Sequence, residues 1–285
     1  MSEKSIAILY HKGCPDGFGG AYAAWKKFGD EAEYIPVKHD FPPPKHLEGK
    51  ELYFIDFCYP LETMQDLAAK AKSVTVLDHH EGVRNSATKF PGAYDASRSG
   101  ATIAWGYFHP KTPVPTLLRY IEDGDLYRFA LPHAREILAY AYLAPFSSFE
   151  HVETLARELE DRAEHDRIVA TGALFLQYHQ FVVDAVVRHA ELVRFEGYEC
   201  YLSSSFGEFT SDAGHALALA KPPLAILVSA NARGLRVSLR GDGSIDVAAL
   251  ARKYGGNGHP SAAGFRIPFG DPIPWEAIDN ENTGN

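Results

Sequence analysis

Three short apolar runs in the first half of the chain each end at an acidic or histidine side chain. Runs of apolar and β-branched residues of this length predict buried strands. Because the strands of an open α/β sheet bring their carboxyl ends to one edge, the polar residues that follow them should lie together. The runs and the residues that follow them are 6–10 with His11, 52–55 with Asp56, and 74–77 with Asp78.

Helix-like segments alternate with these strands. Residues 19–28 predict a helix that opens on a glycine turn, and residues 61–72 predict an amphipathic helix. Residues 99–108 predict another helix, with Ser97 or Ser99 near its N-terminus. This β-α-β rhythm is typical of the α/β class, with a mainly parallel sheet covered by helices.

The second half of the chain has a different pattern. From 149 to 189, charged and apolar residues follow a helical periodicity with few helix breakers. After Arg194 the chain changes to short strands with one helix among them. The predicted strands are 199–203, 224–229, 235–240 and 264–267, and the predicted helix is 246–253.

These patterns predict two domains, each with a modest core of its own, within 285 residues. We expect an α/β domain over 1–150, a helical linker over 151–190 and a smaller α+β domain over 191–275. The polar segment 276–285 is expected to be a frayed tail.

Composition limits which partners and which cellular compartment we expect. A formal net charge of −9 argues against a long track for nucleic acid, because such binding rests on Lys and Arg meeting phosphates. A short phosphorylated ligand is compatible with this charge, since metals and a few arginines can reverse the potential locally. Three cysteines without a CxxC pair, no apolar stretch of bilayer length and no signal-peptide pattern lead us to expect a cytoplasmic protein without membrane contact.

The Asp and His side chains at the strand ends suit a metal site. A single Asp or His in such a place is usually a turn former or a helix N-cap. Three consecutive strand ends of the same kind are much harder to explain in that way. Carboxylate oxygens and neutral imidazoles are ligands for Mn²⁺, Mg²⁺, Fe²⁺ or Zn²⁺, so we expect a divalent metal centre.

Two motifs carry a family resemblance. The triplet Asp-His-His at 78–80, preceded by the segment 11–16 and by Asp56, resembles the signature of the DHH phosphoesterase superfamily. Near the other end, residues 255–265 are similar to the glycine-rich signature of the DHHA1 domain that often follows it. The resemblance implies a metal-dependent phosphohydrolase with its active site in the cleft between two domains.

The resemblance also assigns roles to individual residues. Asp56 and Asp78 are candidates to bridge two metal ions, and His80 is expected against the attacking water or a substrate oxygen. For the last acidic ligand we favour Asp123 over Asp125, because the segment from Asp123 resembles an Asp-x-Asp-Leu-aromatic segment of one DHH branch; a plain acidic turn is the alternative. The implied metal ligands are His11, Cys14, Asp16, Asp56, Asp78, His79 and Asp123, and the implied catalytic residues are Asp78, His79 and His80.

Cys14 departs from the usual first motif, in which two acids flank one residue after the histidine. Here Cys14 stands in the place of the first acid. A thiolate favours Fe²⁺, Zn²⁺ or Co²⁺ over Mg²⁺; alternatively, Cys14 is not a ligand and one metal position is weakened or absent. The form His-x-x-Cys-Pro-Asp-Gly-Phe resembles a DHH branch of oligoribonucleases and cyclic-nucleotide phosphodiesterases. We expect manganese, with one or two ions bound.

The glycine-rich motif of the second domain predicts a phosphate-binding surface. Gly255, Gly256 and Gly258 let the backbone approach closely and turn its N–H groups toward an anion. His259 can donate to a phosphate oxygen. Arg240 resembles the arginine that faces the substrate phosphate in DHHA1 domains, a task that suits a guanidinium group.

We therefore expect a phosphodiesterase that acts on short oligoribonucleotides or on linear or cyclic small nucleotides. The chain has no room for extra domains resembling those of RecJ-type exonucleases. Two alternatives remain open. One is hydrolysis of polyphosphate, pyrophosphate or a 3′-phosphonucleotide. The other is nucleotide binding without catalysis, with Cys14 marking the loss. The sequence leaves the oligomeric state open.

Overall fold

The chain folds into two compact units, and the boundary between them along the sequence falls within one long helix. The computed structural model describes residues 4–38, 41–143, 148–207 and 209–278. The first unit is Met1–Leu176 and the second is Gln177–Asn285. None of the helices within the described ranges combines the length and the apolar composition needed to cross a membrane.

The first unit is built on a five-stranded sheet in which every neighbouring pair is parallel. Its strand order is β2-β1-β3-β4-β5. The three central strands end in register, with Tyr10 beside Ile55 and Ile55 beside Leu77. The strands are β1 (Ile6–His11), β2 (Ala32–Val37), β3 (Glu51–Ile55), β4 (Ser73–Asp78) and β5 (Gly92–Tyr94).

Helices cover both faces of this sheet, which explains why its strands are continuously apolar. On one face, Ile8 and Leu77 pack against α1, α4, α5, α6, α7 and the first part of α8. On the other face, Leu9 and Val76 pack against α2 and α3. The helices are α1 (Pro15–Phe28), α2 (Leu61–Lys70), α3 (Arg84–Ala87), α4 (Gly100–Phe108), α5 (Thr116–Asp125), α6 (Ala134–Leu143), α7 (Phe149–Glu158) and α8 (Arg162–Arg188).

The second unit is a seven-stranded sheet in the order β10-β11-β9-β8-β7-β6-β12. Only β7 and β8 pair in parallel among its described strands. One face packs on α10, and the other packs on α9 and the end of α8. The elements are β6 (Glu191–Phe195), β7 (Tyr198–Ser204), α9 (Phe209–Ala220), β8 (Leu224–Asn231), β9 (Gly234–Gly241), α10 (Val247–Arg252), β10 (Asn257–His259), β11 (Ala262–Ile267) and β12 (Trp275–Ala277).

The predicted fold class is confirmed: a parallel sheet flanked by helices is followed by a smaller mixed α+β unit. The helix predicted over 99–108 begins at Gly100, with Ser99 as its N-cap. The helix predicted from residue 19 begins at Pro15 instead, because proline suits the first helical position.

Three parts of the sequence interpretation differ from the structure. The strands β2 and β5 and the helix α9 have weak local patterns and were not predicted; β2, for example, carries a proline at an edge position. The segment ahead of Asp123 was not assigned to an element, and the structure shows that Asp123 and Asp125 lie within the helix α5. Glu276 and Ala277, assigned to the frayed tail, pair with β6 as part of β12, and 279–285 lie outside the described residues. The predicted domain limits stay a prediction.

Candidate metal centre

Asp56 lies at the centre of the site, immediately after β3. Its φ of 55° puts it in the left-handed region, an uncommon conformation for a residue with a side chain. The backbone N–H of Asp56 donates to Leu77 O at 2.9 Å, which holds this conformation against the neighbouring strand. The side chain is 1% exposed. A strained, buried acid at a strand end is typical of a functional position.

Three carboxylates surround the Nε2 atom of His79. This nitrogen lies 3.2 Å from Asp56 Oδ1, 3.5 Å from Asp125 Oδ2 and 3.8 Å from Asp16 Oδ2. Ligand atoms about 2.1 Å from an octahedral ion lie about 3 Å from one another, so this spacing suits ligands arranged around one small cation.

A second group of ligand atoms lies on the other side of Asp56. His11 Nδ1 is 3.5 Å from Asp56 Oδ2. His11, Cys14 and Asp56 offer a nitrogen, a sulfur and an oxygen that all lie within 4.8 Å of one another. Asp56 belongs to this group through one oxygen and contacts His79 with the other, an arrangement in which one carboxylate could reach two ions.

Asp78 is fully buried and accepts hydrogen bonds from His79 and His80. Its Oδ1 accepts hydrogen bonds from the backbone N–H of His79 at 2.7 Å and of His80 at 2.9 Å, and from His80 Nδ1 at 2.9 Å. Its Oδ2 has no hydrogen-bond partner among the described residues. Asp78 belongs to none of the groups of three or more ligand atoms that those residues form. Its Oδ1 contacts orient the two histidines, and its predicted role as a metal ligand stays a prediction.

Asp125, the alternative to Asp123, is the acid of α5 that faces the cluster. The two oxygens of Asp123 accept hydrogen bonds from the N–H groups of Ala130 and Leu131, each at 3.0 Å. Asp123 thereby anchors the loop after α5. Residues two apart on a helix point in different directions, so the two acids cannot share one task.

The N-terminus of α4 donates two backbone hydrogen bonds to Asp16. The N–H of Gly100 donates to Asp16 Oδ2 at 2.6 Å, and the N–H of Ala101 donates to Asp16 Oδ1 at 3.0 Å. A Cβ at Gly100 would lie 2.6 Å from Asp56 Cβ and 2.9 Å from Asp16 Oδ2. Only a glycine lets the helix approach this closely, and nothing in the local sequence indicates that requirement.

The protonation of the site reflects its crowding. Burial, with the charges of Asp56 and Asp125, raises the pKa of Asp16 well above its ordinary value. Burial also favours the neutral form of Asp56, but its contacts with His11 and His79 outweigh burial and lower the pKa of Asp56 to about 2. Such opposed shifts within one cluster mark a functional site.

Two further side chains near the cluster, Cys14 and Tyr142, have raised pKa values. Burial and the charge of Asp56 raise the pKa of the Cys14 thiol, partly offset by the backbone N–H groups of Gly17 and Asp16. Burial and the nearby charges of Cys14 and Asp125 raise the pKa of Tyr142 to about 12. Tyr142, in the last turn of α6, is a site neighbour that the sequence analysis did not identify.

A pocket of about 430 Å³ in the second unit contains Arg240 and Gly258. Arg236, Ser238 and Arg266 line it too, and no acid of the described chain is among its lining residues. Arg236 and Arg266 face each other across β9 and β11 and were not predicted as site residues. Burial and the charge of Arg236 lower the pKa of Arg240.

Packing accounts for part of the glycine-rich motif. A Cβ at Gly256 would lie 2.2 Å from the Gly264 carbonyl oxygen, and a Cβ at Gly258 would lie 2.4 Å from Ala263 Cα. Gly255, Gly256 and His259 are not among the described residues that line the pocket. Their predicted role in substrate binding stays a prediction.

Comparison with known proteins gives a relative by sequence and solved structures with a similar fold. No protein-family model matches the chain. An uncharacterized protein of Acanthamoeba polyphaga mimivirus is 26% identical over 308 residues, covering 96% of this chain and 70% of that protein. The pGpG-specific phosphodiesterase PggH from Vibrio cholerae matches with a TM-score of 0.54 at 15% identity, over 93% of this chain and 94% of that one. The DHH domain of a member of a ribosomal-protein family matches with a TM-score of 0.57 at 12% identity, over 92% and 82%.

Gly100→Ala should weaken both the fold and the metal site. The added methyl group meets Asp56 Cβ and Cα and Asp16 Oδ2, so the start of α4 must move away and loosen its hydrogen bonds to Asp16. We expect a loss of about 1–3 kcal/mol in the free energy of unfolding, measured by chemical denaturation. The matched control is Gly82→Ala, where no described atom lies within 4 Å of the new methyl group. Equal stability of the two variants would contradict the packing argument.

The metal-free protein should lose stability as the pH rises above neutrality. The hydrogen bond with Asp78 raises the pKa of His80 from 6.5 to about 9. Protonated His80 therefore stabilises the folded protein. This contribution to the free energy of unfolding is complete below pH 6.5 and is lost as the pH rises through 9. Thermal unfolding in chelator across this interval should show the loss in the wild type and a smaller one in His80→Gln. The same pH dependence of the unfolding temperature in both proteins would contradict a stabilising contribution from His80.

Proposed function

Because the chain has the fold of DHH-domain proteins, we propose that it is a metal-dependent phosphohydrolase. The observation that carries the proposal is the arrangement of three carboxylates around one imidazole nitrogen at the carboxyl edge of the sheet. Buried acids this close repel one another unless a cation lies between them. The donor set therefore fits divalent ions.

Each residue of the cluster has a proposed task. Divalent ions at this site supply Lewis-acid charge at a phosphoryl group and lower the pKa of water. Asp56 would bridge, and Asp125 takes the ligand role that the sequence analysis assigned to Asp123. The proposed ligands are His11, Cys14, Asp16, Asp56, His79 and Asp125.

Asp78 and His80 act beside the ligands in this proposal. Asp78 fixes the backbone and the ring of His80 through its Oδ1. The His80 side chain is 42% exposed, and in the metal-free protein the hydrogen bond with Asp78 raises the pKa of its imidazole. His80 can therefore donate a proton to an anionic substrate oxygen, as a general acid does.

The proposed substrate is a short linear nucleotide with at least one phosphodiester, such as a dinucleotide or a short oligoribonucleotide. The supporting observation is the pocket of the second unit, where Arg236, Arg240 and Arg266 place three positive charges with no acid of the described ranges in the lining. Like charges opposite each other on neighbouring strands are unfavourable unless an anion lies between them. The pGpG-specific phosphodiesterase of the same fold takes a substrate of this kind.

Asp56→Asn should abolish hydrolysis while leaving the fold intact. The amide keeps the shape of the side chain but cannot bridge two cations, so we expect turnover to fall by about 10³-fold or more. The test is mononucleotide release from pGpG and pApA with added Mn²⁺ and after chelation. Cyclic AMP, 3′-phosphoadenosine 5′-phosphate and polyphosphate complete the panel. Undiminished turnover in Asp56→Asn, or in the presence of chelator, would refute the metal-dependent mechanism.

Arg266→Gln should raise KM for a dinucleotide with little change in kcat. Loss of one charge-assisted hydrogen bond to a phosphate costs about 1.5–3 kcal/mol, which corresponds to a rise in KM of roughly tenfold or more. Arg233→Gln is the matched control, because Arg233 lies between β8 and β9 and does not line the pocket. If both variants changed KM equally, the pocket would have no special role in binding.

A further inference from the structure

The two sides of Asp56 present different donor atoms. On one side, which we call the thiol side, lie His11 Nδ1, Cys14 Sγ and Asp56 Oδ2. On the other, the carboxylate side, lie His79 Nε2 and oxygens of Asp16, Asp56 and Asp125. The first group mixes nitrogen, sulfur and oxygen, whereas the second is rich in oxygen.

The side chain of Asp56 points one oxygen to each side. Its Oδ1 lies 3.2 Å from His79 Nε2. Its Oδ2 is buried, lies 3.5 Å from His11 Nδ1 and meets the geometry of a hydrogen bond with none of the described residues. Asp56 is 1% exposed and shares a ligand group with His11 and Cys14. A cation bound beside them would therefore meet this buried anionic oxygen on the thiol side.

Cys14 is positioned by the start of α1. It is the N-cap residue of α1, with an extended backbone conformation and Pro15 next to it. Cys14 is partly exposed, whereas Cys58 and Cys200 are 1% and 0% exposed within the hydrophobic cores. Of the three cysteines, Cys14 is the one that belongs to a group of three potential metal ligands among the described residues.

We propose that the centre is heteronuclear, with a thiophilic divalent ion (Zn²⁺, Fe²⁺ or Co²⁺) on the thiol side and a harder ion such as Mn²⁺ or Mg²⁺ on the carboxylate side. Thiolate ligands select the softer ions, and carboxylates suit the harder ones. Because Asp56 is shared, both ions are held by one buried carboxylate. This inference rests on the proposed metal-dependent function and specifies its ions. On this basis Cys14 changes which ion binds on the thiol side and does not abolish binding there.

Cobalt titration tests the proposal directly, because a thiolate bound to Co²⁺ gives an intense charge-transfer absorption in the near ultraviolet. The full-length protein, stripped with a chelator, is titrated with Co²⁺ without oxygen while bound metal is measured. We expect two ions per chain and a charge-transfer band equivalent to one thiolate. One equivalent of Zn²⁺ should abolish the band, whereas excess Mg²⁺ should leave it.

Variants assign the band to a side of Asp56. Cys14→Ser should remove the band and weaken Zn²⁺ binding by about 100-fold or more, while Mn²⁺ binding on the carboxylate side changes little. Cys14→Asp should also lack the band but still bind two ions. The position beside residue 14 should then prefer Mn²⁺. Asp125→Asn should keep the band and lose the other ion. Circular dichroism checks that each variant is folded.

The outcomes separate this inference from the proposed function. Two bound Co²⁺ ions without a charge-transfer band in the wild type would overturn the heteronuclear assignment and leave the metal-dependent hydrolase standing. Survival of the band in Cys14→Ser would overturn the assignment too. Absence of any bound metal in the wild type would overturn the proposed function itself, and this inference with it.

Discussion

The close approach of α4 to Asp56 is the constraint on which the metal centre depends. Gly100 has no side chain, so the first turn of the helix reaches the strand end and its N–H groups meet Asp16. The positive end of the helix dipole then lies against the buried acids and favours their charged form. The left-handed backbone of Asp56, which costs about 1–3 kcal/mol, is sustained because β3 is the central strand of the sheet.

Features with a short sequence range were predictable. The apolar strands and the polar residues that end them are adjacent in sequence, so the pattern alone predicted the edge where His11, Asp56 and Asp78 lie. The parallel sheet followed from the same alternation of strands and helices. The Ser99 N-cap is likewise a local signal, since it depends on a side chain and an N–H three residues later.

Features that depend on distant contacts were not predictable. Asp123 and Asp125 have similar local surroundings, and the difference between them arises from N–H groups of Ala130 and Leu131, which follow α5. The role of Gly100 depends on Asp16, 84 residues earlier. Arg236 and Arg266 become neighbours only through the register of β9 and β11.

The crowding of acids around His79 has a consequence for how fast the protein is degraded in a cell. Cations that bind the folded state but not the unfolded chain raise the population of the folded state by mass action. Without them, the repulsion between Asp16, Asp56 and Asp125 opposes the closed edge of the sheet. Proteases act on opened chains, so the abundance of this protein would follow the supply of metal in its surroundings. With divalent ions bound as proposed, the same acids would thereby link the turnover of the protein to the supply of those ions.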